Sequence, residues 1–572
     1  MICDGRTTSA GREFPANSRY DPGVLETQTL AMLMSPGKLP VVCTFAVAAA
    51  CMSSAARGDA TLTCRVLDAD TGRPLECRVS IESTDGEFHF VESAEPDGSA
   101  VRYDVSRSPQ SVERHTTVSP HPFTVELPAG EYTLRVERGK EYHPATLNFE
   151  IGETPVERTV QLRRWINLAE RGWYSGDTHV HRTIEELPNV MLAEDLNVAL
   201  PLSYWVRTAY TPPAQGDETT AVSGALIQID DTHVIWPMNT EYEIFTVNGK
   251  PHTLGAVFVL NHQQPLKPAA PPVGPIAAVA REQGAILDLD KHSWPWSMML
   301  VPVMDVDLFE LSNNHVWQTE FFFKQWTIEQ LPPQWRIQTD EDGFTEWGWI
   351  DFGFKTYYAL LNCGFRMRPT AGTASGVHPV PLGFGRVYVQ LPDGFSYDAW
   401  MDGLDAGRSF VTTGPMLFAE FGGEPPGAAI EAQPGDEVRV AGTVESAQPL
   451  SRIEIVRNGQ VVEILHPALV PGEDGRHVSR FDRQIPVARS SWIAVRAFAG
   501  EPGRERIRFA HSAPVFVEVA DKPLRPKQHE VQFLVNRMER ELERNQGVLS
   551  EDELAEYEQA LRIYREIAEQ AE

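Results

Sequence analysis

The hydrophobic period changes three times along this chain, and that succession limits the folds open to it more than any single motif does. Residues 60–163 carry short runs in which apolar and polar side chains alternate. Examples are Thr61-Leu62-Thr63-Cys64-Arg65-Val66, Arg78-Val79-Ser80-Ile81, Phe123-Thr124-Val125-Glu126-Leu127 and Tyr132-Thr133-Leu134-Arg135-Val136. A period of two marks half-buried strands. Turns at Asp70-Thr71-Gly72-Arg73-Pro74 and Pro128-Ala129-Gly130 join them as in a small antiparallel sandwich.

From 164 to 420 the texture is different. Eleven of the 13 Trp fall between Trp165 and Trp349, a density that a tightly packed core explains. Residues 277–284 read as a helix ending on Gly284, followed at once by the strand Ala285-Ile286-Leu287-Asp288-Leu289-Asp290, a transition of the α/β kind. Residues 421–522 return to strands, and Asn458-Gly459 between two apolar runs predicts a hairpin.

Beyond Pro523 and Pro526, Val531, Leu534, Val535, Met538 and Leu542 recur at helical spacing, and Gly547 ends the run. Ser550 and Glu553 form a capping box, after which Leu554, Tyr557, Leu561, Tyr564 and Ile567 continue the stripe. This helical hairpin must bury its stripe on the body of the chain or on a second copy, so an oligomer through the C-terminal helices stays open. The expected division is 1–58 N-terminal extension, 59–163 β-sandwich, 164–420 α/β domain, 421–522 second β-sandwich and 523–572 helical hairpin.

At 572 residues the chain is too long for one core. With 42% hydrophobic and 23% charged residues it is a folded chain and not a disordered one. Fifty basic against 79 acidic residues give a net charge of −29, which excludes non-specific binding to nucleic acid or anionic membrane. Met32 or Met34 opens a segment with Lys38 as a positive flank, an apolar stretch from Leu39 to Met52, and small residues at Ser53-Ser54-Ala55-Ala56. That is the layout of a secretory signal, so export to the periplasm, the medium or the cell envelope is expected, with no transmembrane domain after leader removal. Ala49-Ala50-Cys51 also permits lipoprotein processing. In an oxidising compartment Cys64 and Cys77, on adjacent predicted strands, could bridge, a pairing that the strand register decides and the sequence leaves open, and Cys363 reads as a buried thiol. No cysteine cluster has zinc-site spacing, so any metal must be held by His and carboxylate.

The sharpest chemical signal is Trp173-Tyr174-Ser175-Gly176-Asp177-Thr178-His179-Val180-His181. Strand alternation puts His179 and His181 on one face, where two imidazoles can converge on a cation. A second cluster is Asp288, Asp290 and His292, again at i, i+2 and i+4, followed by Trp294 and Trp296, which suit the wall of a pocket. Glu241 and Glu243, His252, His262, Glu310 and Asn313-Asn314-His315 are further candidates, each alone more typical of a loop or core. There is no G-x-S-x-G elbow, P-loop, dinucleotide fingerprint or HExxH.

The stretch GWYSGDTHVHR, with DLDKHSWPWS, VDLFELSNNHVW, YYALLNCGFRMRPTAGTASGVHP and GRSFVTTGP, resembles the PHP (polymerase and histidinol phosphatase) superfamily, in particular its CehA/McbA-type branch. TGRPLECRVSI and LPAGEYTLRVERG resemble the transthyretin-like, carboxypeptidase-regulatory-type modules of exported proteins. The first resemblance implies a distorted (β/α)7 barrel over roughly 165–420, with one to three divalent ions, zinc or manganese, at the strand ends. These activate water for hydrolysis of phosphoesters, or of esters and carbamates. Carried over, it assigns His179, His181, Glu243 and His292 as metal ligands and Asp290 or Glu310 as the base. Trp294, Trp296, His315 and His378 then line the substrate pocket for a small-molecule or carbohydrate substrate.

Two positions depart from the family pattern. Tyr204 lies in the stretch that replaces an Asp-His-Asn-like motif, and Ala374 stands where the Gly-Ser-Asp-like motif has its carboxylate. Asp177, Asp288 or Asp290 then remain to compensate. The alternative is a catalytically degenerate barrel that binds a carbohydrate or another ligand.

Overall fold

The computed structural model describes residues 59–216, 222–316, 328–467, 472, 475–500 and 506–572. The signal-like segment lies outside them up to Gly58, and with it the expectation of export. Between Ala60 and Leu162 two sheets face each other across a shared apolar core. Ala60–Asp68 pairs antiparallel with Phe123–Leu127 and parallel with Val156–Leu162 in a four-stranded sheet. Cys77–Ser83, Ser111–Val118 and Gly130–Glu137 belong to a six-stranded sheet. Alternation does what it predicts: Leu62, Cys64 and Val66 from one sheet meet Val79, Ile81, Leu134 and Val136 from the other in one core.

The pairing of Cys64 with Cys77 that the sequence left open is not made. Both thiols are free and buried, and they stand in different sheets instead of on paired strands. Burial pushes the Cys64 thiol up to about 12, so it is an inert core residue.

From Trp173 onward two large sheets share one extended core. In the first, Trp173–Val180 runs parallel to Val198–Pro201 and antiparallel to Arg386–Gln390. The same sheet continues through Ser409–Thr412, Arg508–Ser512, Ser491–Ala499 and Leu450–Arg457, so residues on both sides of position 420 share it. The second sheet orders Tyr204–Thr208, Thr240–Val247, Lys250–Leu260, Ile286–Leu289, Leu308–Ser312 and Arg368–Ala371 side by side. The two sheets close on one another beyond Arg368–Ala371. There the Ala374 amide donates to the His179 carbonyl at 2.7 Å, and the His181 amide donates to Ser375 at 2.8 Å.

Local signals are obeyed. Gly274–Glu282 is a helix, Gly284 turns it with φ +68, and Ile286–Leu289 follows as a strand. Leu450–Arg457 and Gln460–Leu465 form the hairpin across Asn458-Gly459, whose φ values of 49° and 75° are those of a tight primed turn. A three-stranded sheet, Met416–Phe421, Glu437–Ser446 and His477–Pro486, packs over the first large sheet around its own core.

The helices Gln528–Asn545 and Glu551–Ala568 lie on their own chain. Val531, Leu534, Met538, Tyr557, Leu561 and Tyr564 join the main core. The Arg537 guanidinium donates to the Ser293 and Trp294 carbonyls at 3.1 and 2.5 Å, and the Tyr564 hydroxyl donates to Met298 at 2.7 Å. Glu556 accepts the Val273 and Gly274 amides at the start of the helix Gly274–Glu282, satisfying groups a helix N-terminus leaves open. Among the described residues no helix is long and apolar enough to cross a membrane.

Candidate metal centre

The strand Trp173–Val180 is buried at every residue. Its end is fixed by Asp177, whose carboxylate accepts four donors: the His179 amide at 3.1 Å, the Thr373 amide at 3.2 Å, the Thr373 hydroxyl at 2.5 Å and the Gly383 amide at 2.9 Å. Burial pushes its pKa up to about 6 despite those bonds. With both oxygens engaged, Asp177 is a strut that locks the histidine strand to the 373–383 loop. Gly372 completes the lock, because a Cβ there would overlap the His179 side chain and Glu310 Oε1.

Around this strand end the structure gathers residues far apart in sequence. His179 Nδ1 lies 3.0 Å from Glu310 Oε1 and 3.8 Å from Asp290 Oδ1. His181 Nε2 lies 3.3 Å from Glu241 Oε2, and the two imidazole centroids are 5.2 Å apart. Phe258 wedges against His179 and the Trp205 ring lies against His181, fixing both ring planes. Two groups of three have ligand atoms close enough to share an ion, His179–His181–Glu241 and His179–Asp290–Glu310. The Lys291 ammonium enters the same space. It touches Asp290 Oδ2 and lies 3.4 Å from Glu243 Oε1 and 3.7 Å from Glu241 Oε1.

The electrostatics are those of acids crowded out of water. Glu241 and Glu243 are each pushed up to about 8, by burial first and then by their acidic neighbours. Burial and Asp290 hold Glu310 well above the carboxylate range. Asp288, bonded to the Thr370 hydroxyl at 2.8 Å, rises to about 7. Burial pulls His181 down to about 4 and His179 well below its ordinary value, so both imidazoles are neutral, the form that ligates metal. Burial works against the Lys291 charge, but Asp290, Glu243 and Glu241 outweigh it.

A divalent ion fits this donor set. Both Glu241 oxygens, Asp290 Oδ1 and Glu310 Oε2 are buried without a hydrogen-bond partner. Orphaned carboxylate oxygens are expensive unless something cationic faces them. Oxygen and imidazole donors together suit zinc or manganese.

The other sequence candidates are distributed differently. Glu243 faces Lys291 at the edge of the cluster, while Glu241 two residues earlier stands beside His181. His292 points away: its ring stacks on Phe309 at 5.5 Å and packs against Trp349 and Phe352, with Nδ1 buried and unbonded. Trp296 is core and wedges against Gly255, whereas the Trp294 ring carries Lys291 over it at 5.1 Å. The His315 and His378 rings face one another at 6.4 Å, and His315 also packs on Trp349.

His262 and His252 are engaged elsewhere, with Thr240 and with Asn545 respectively. Ala374 takes up φ +49 and contributes its amide to the lock on His179, and Tyr204 is buried near His262. The residue that sequence reasoning passed over is Lys291. A lysine at a strand end reads as solvent-facing, and only the fold reveals three carboxylates around it.

The N-terminal sandwich reaches the rim of this cluster. Arg107 donates to the Val377 carbonyl at 2.5 Å, and the Tyr103 hydroxyl bonds to His378 and accepts from the Gly376 amide. An open groove of about 920 Å³ lies elsewhere, lined by Trp173, Arg408, Phe418, Arg439, Arg480 and Asp482 among others.

No family model and no curated protein matches this chain. Among solved structures, a two-domain protein from Bacteroides vulgatus containing a predicted PHP-like metal-dependent phosphoesterase is similar over 60% of this chain and 94% of its own, at 10% identity and a TM-score of 0.26. The pilus 2b backbone protein of group B streptococcus is similar over 18% of this chain, at 16% identity and a TM-score of 0.13. The chain spans only 41% of that pilus protein. Likenesses at these scores carry no argument about chemistry.

Proposed function

We propose that the chain is a metal-dependent hydrolase of the PHP type, acting on an ester, carbamate or phosphoester, with the two large sheets forming its distorted barrel. The single observation that supports this most is the convergence of two neutral imidazoles and three acids with orphaned buried oxygens at one strand end. His179, His181 and Glu241 would hold the ion, and Asp290 and Glu310 stand beside His179. When bound, a divalent ion supplies Lewis acidity and makes water a competent nucleophile near neutral pH.

The remaining work belongs to the side chains. Glu310 keeps His179 oriented through the Nδ1 contact, and once a bound cation favours its ionised form its Oε2 would be the atom that takes up a proton. Asp290, held by Lys291, presents Oδ1 toward His179. Phe258 and Trp205 exclude bulk water from the imidazole faces. Export is part of the same proposal and rests on the signal-like segment alone.

The His179→Ala variant is expected to lose about 100-fold or more of esterase or phosphatase turnover with an unchanged circular dichroism spectrum. Equal rates in the two proteins would reject the reading. The rival, a degenerate barrel that binds a ligand, draws on one observation: the 920 Å³ groove is not at the acid cluster. It predicts no bound transition metal, even after reloading.

A further inference from the structure

We propose that Lys291 is a built-in cation that takes the place of a second metal ion, so that the site holds one divalent ion and not two. The inference rests on the metal-site reading above and adds to it a residue with no role there. Five acids, Glu241, Glu243, Asp288, Asp290 and Glu310, are buried around the end of the histidine strand. Two overlapping groups of ligand atoms share His179 on the imidazole side, and three further carboxylate oxygens, from Glu241, Glu243 and Asp290, converge on the other side, where the lysine stands.

The ammonium divides that space. Nζ touches Asp290 through Oδ2 and faces Glu241 and Glu243 through one oxygen each, at 3.7 and 3.4 Å. It leaves the other oxygens of the two shared acids, Asp290 Oδ1 and Glu241 Oε2, turned toward the histidines. Each shared acid thus has one oxygen on the lysine side and one on the imidazole side. Lys291 is itself buried and lies over the Trp294 ring, which disposes it away from solvent and against the acids. A divalent ion on the lysine side would meet a like charge at contact distance. An ion on the histidine side would have two acids already half neutralised and correctly turned.

The full-length chain, stripped with a chelator, reloaded with zinc or manganese and desalted, should carry one ion per chain by elemental analysis. Lys291→Met, which keeps the length without the charge, should carry two, and Lys291→Arg should stay at one. Two or more ions in the wild type, or one in both the wild type and Lys291→Met, would overturn the lysine proposal and leave the hydrolase reading standing. None in the wild type but one in Lys291→Met would overturn both, because the proposal requires one ion to sit beside the lysine. None in either would overturn both. Should Lys291→Met fail to fold, the anomalous-scattering position of the ion in wild-type crystals decides. An ion beside His179 with Nζ still on Asp290 supports the proposal, and an ion that displaces Nζ from Asp290 overturns it.

Discussion

Asp177 and His179 are two residues apart and do opposite things. One spends its carboxylate on four backbone and hydroxyl donors, and the other leaves its ring facing acids with unbonded oxygens. From the sequence alone either could have been a ligand, because Gly-Asp-x-His names residue types and not their partners. The pairing of His179 with His181 was legible, since strand alternation fixes it. Glu241 against Glu243 was not, since both lie on the same strand face and only the neighbour across the cavity separates them. His292 was misleading for a related reason: its spacing from Asp290 says nothing of the aromatic helix that packs against it. Asp177→Ala is expected to cost about 3 kcal/mol of stability, because it strips one partner from several buried donors. Urea denaturation measures this, and a loss below about 1 kcal/mol would mean that the strut is not one.

At the scale of elements, the local punctuation was readable and the long-range pairing was not. Asn458-Gly459, Gly284 and the Ser550–Glu553 capping box each act where their chemistry places them. The partners of the strand Ser409–Thr412 come from either side in sequence, at Arg386–Gln390 and Arg508–Ser512, and no local signal encodes that. The C-terminal stripe illustrates the same limit. Its periodicity demands burial, yet only the contacts of Arg537 and Tyr564 with the Ser293–Met298 segment show which surface it covers. Leu534→Ala, in this buried stripe, should therefore destabilise the folded chain by about 2–5 kcal/mol without changing its mass in solution. Light scattering alongside thermal melting distinguishes this from an oligomer contact, for which the mass would fall instead.

Taken as a whole, the molecule buries several histidines, among them His179, His262, His292, His315 and His511, whose charged forms burial disfavours, and this ties its stability to pH. His511 joins the long helix Glu346–Asn362 to the sheet: Nε2 accepts from the Tyr358 hydroxyl at 2.8 Å, and Nδ1 donates to the Ser512 carbonyl at 2.7 Å. Burial pulls it from the ordinary 6.5 down to about 3. The unfolded chain therefore binds the extra proton between those values, and stability is lost as pH falls below about 6.5. His511→Gln should reduce the slope of unfolding free energy against pH between 6 and 4 by up to one proton, about 1.4 kcal/mol per pH unit. Denaturant titrations across that range check it, and an unchanged slope would remove His511 from the account.

The claim on which the functional reading turns is that paired imidazoles and facing carboxylates hold one ion. X-ray absorption on the zinc-loaded full-length chain tests it directly. The account predicts nitrogen and oxygen neighbours at about 2.0–2.2 Å, with an imidazole outer-shell signature that is lost in His179→Ala. A zinc spectrum without imidazole, or one identical in the variant, would contradict it.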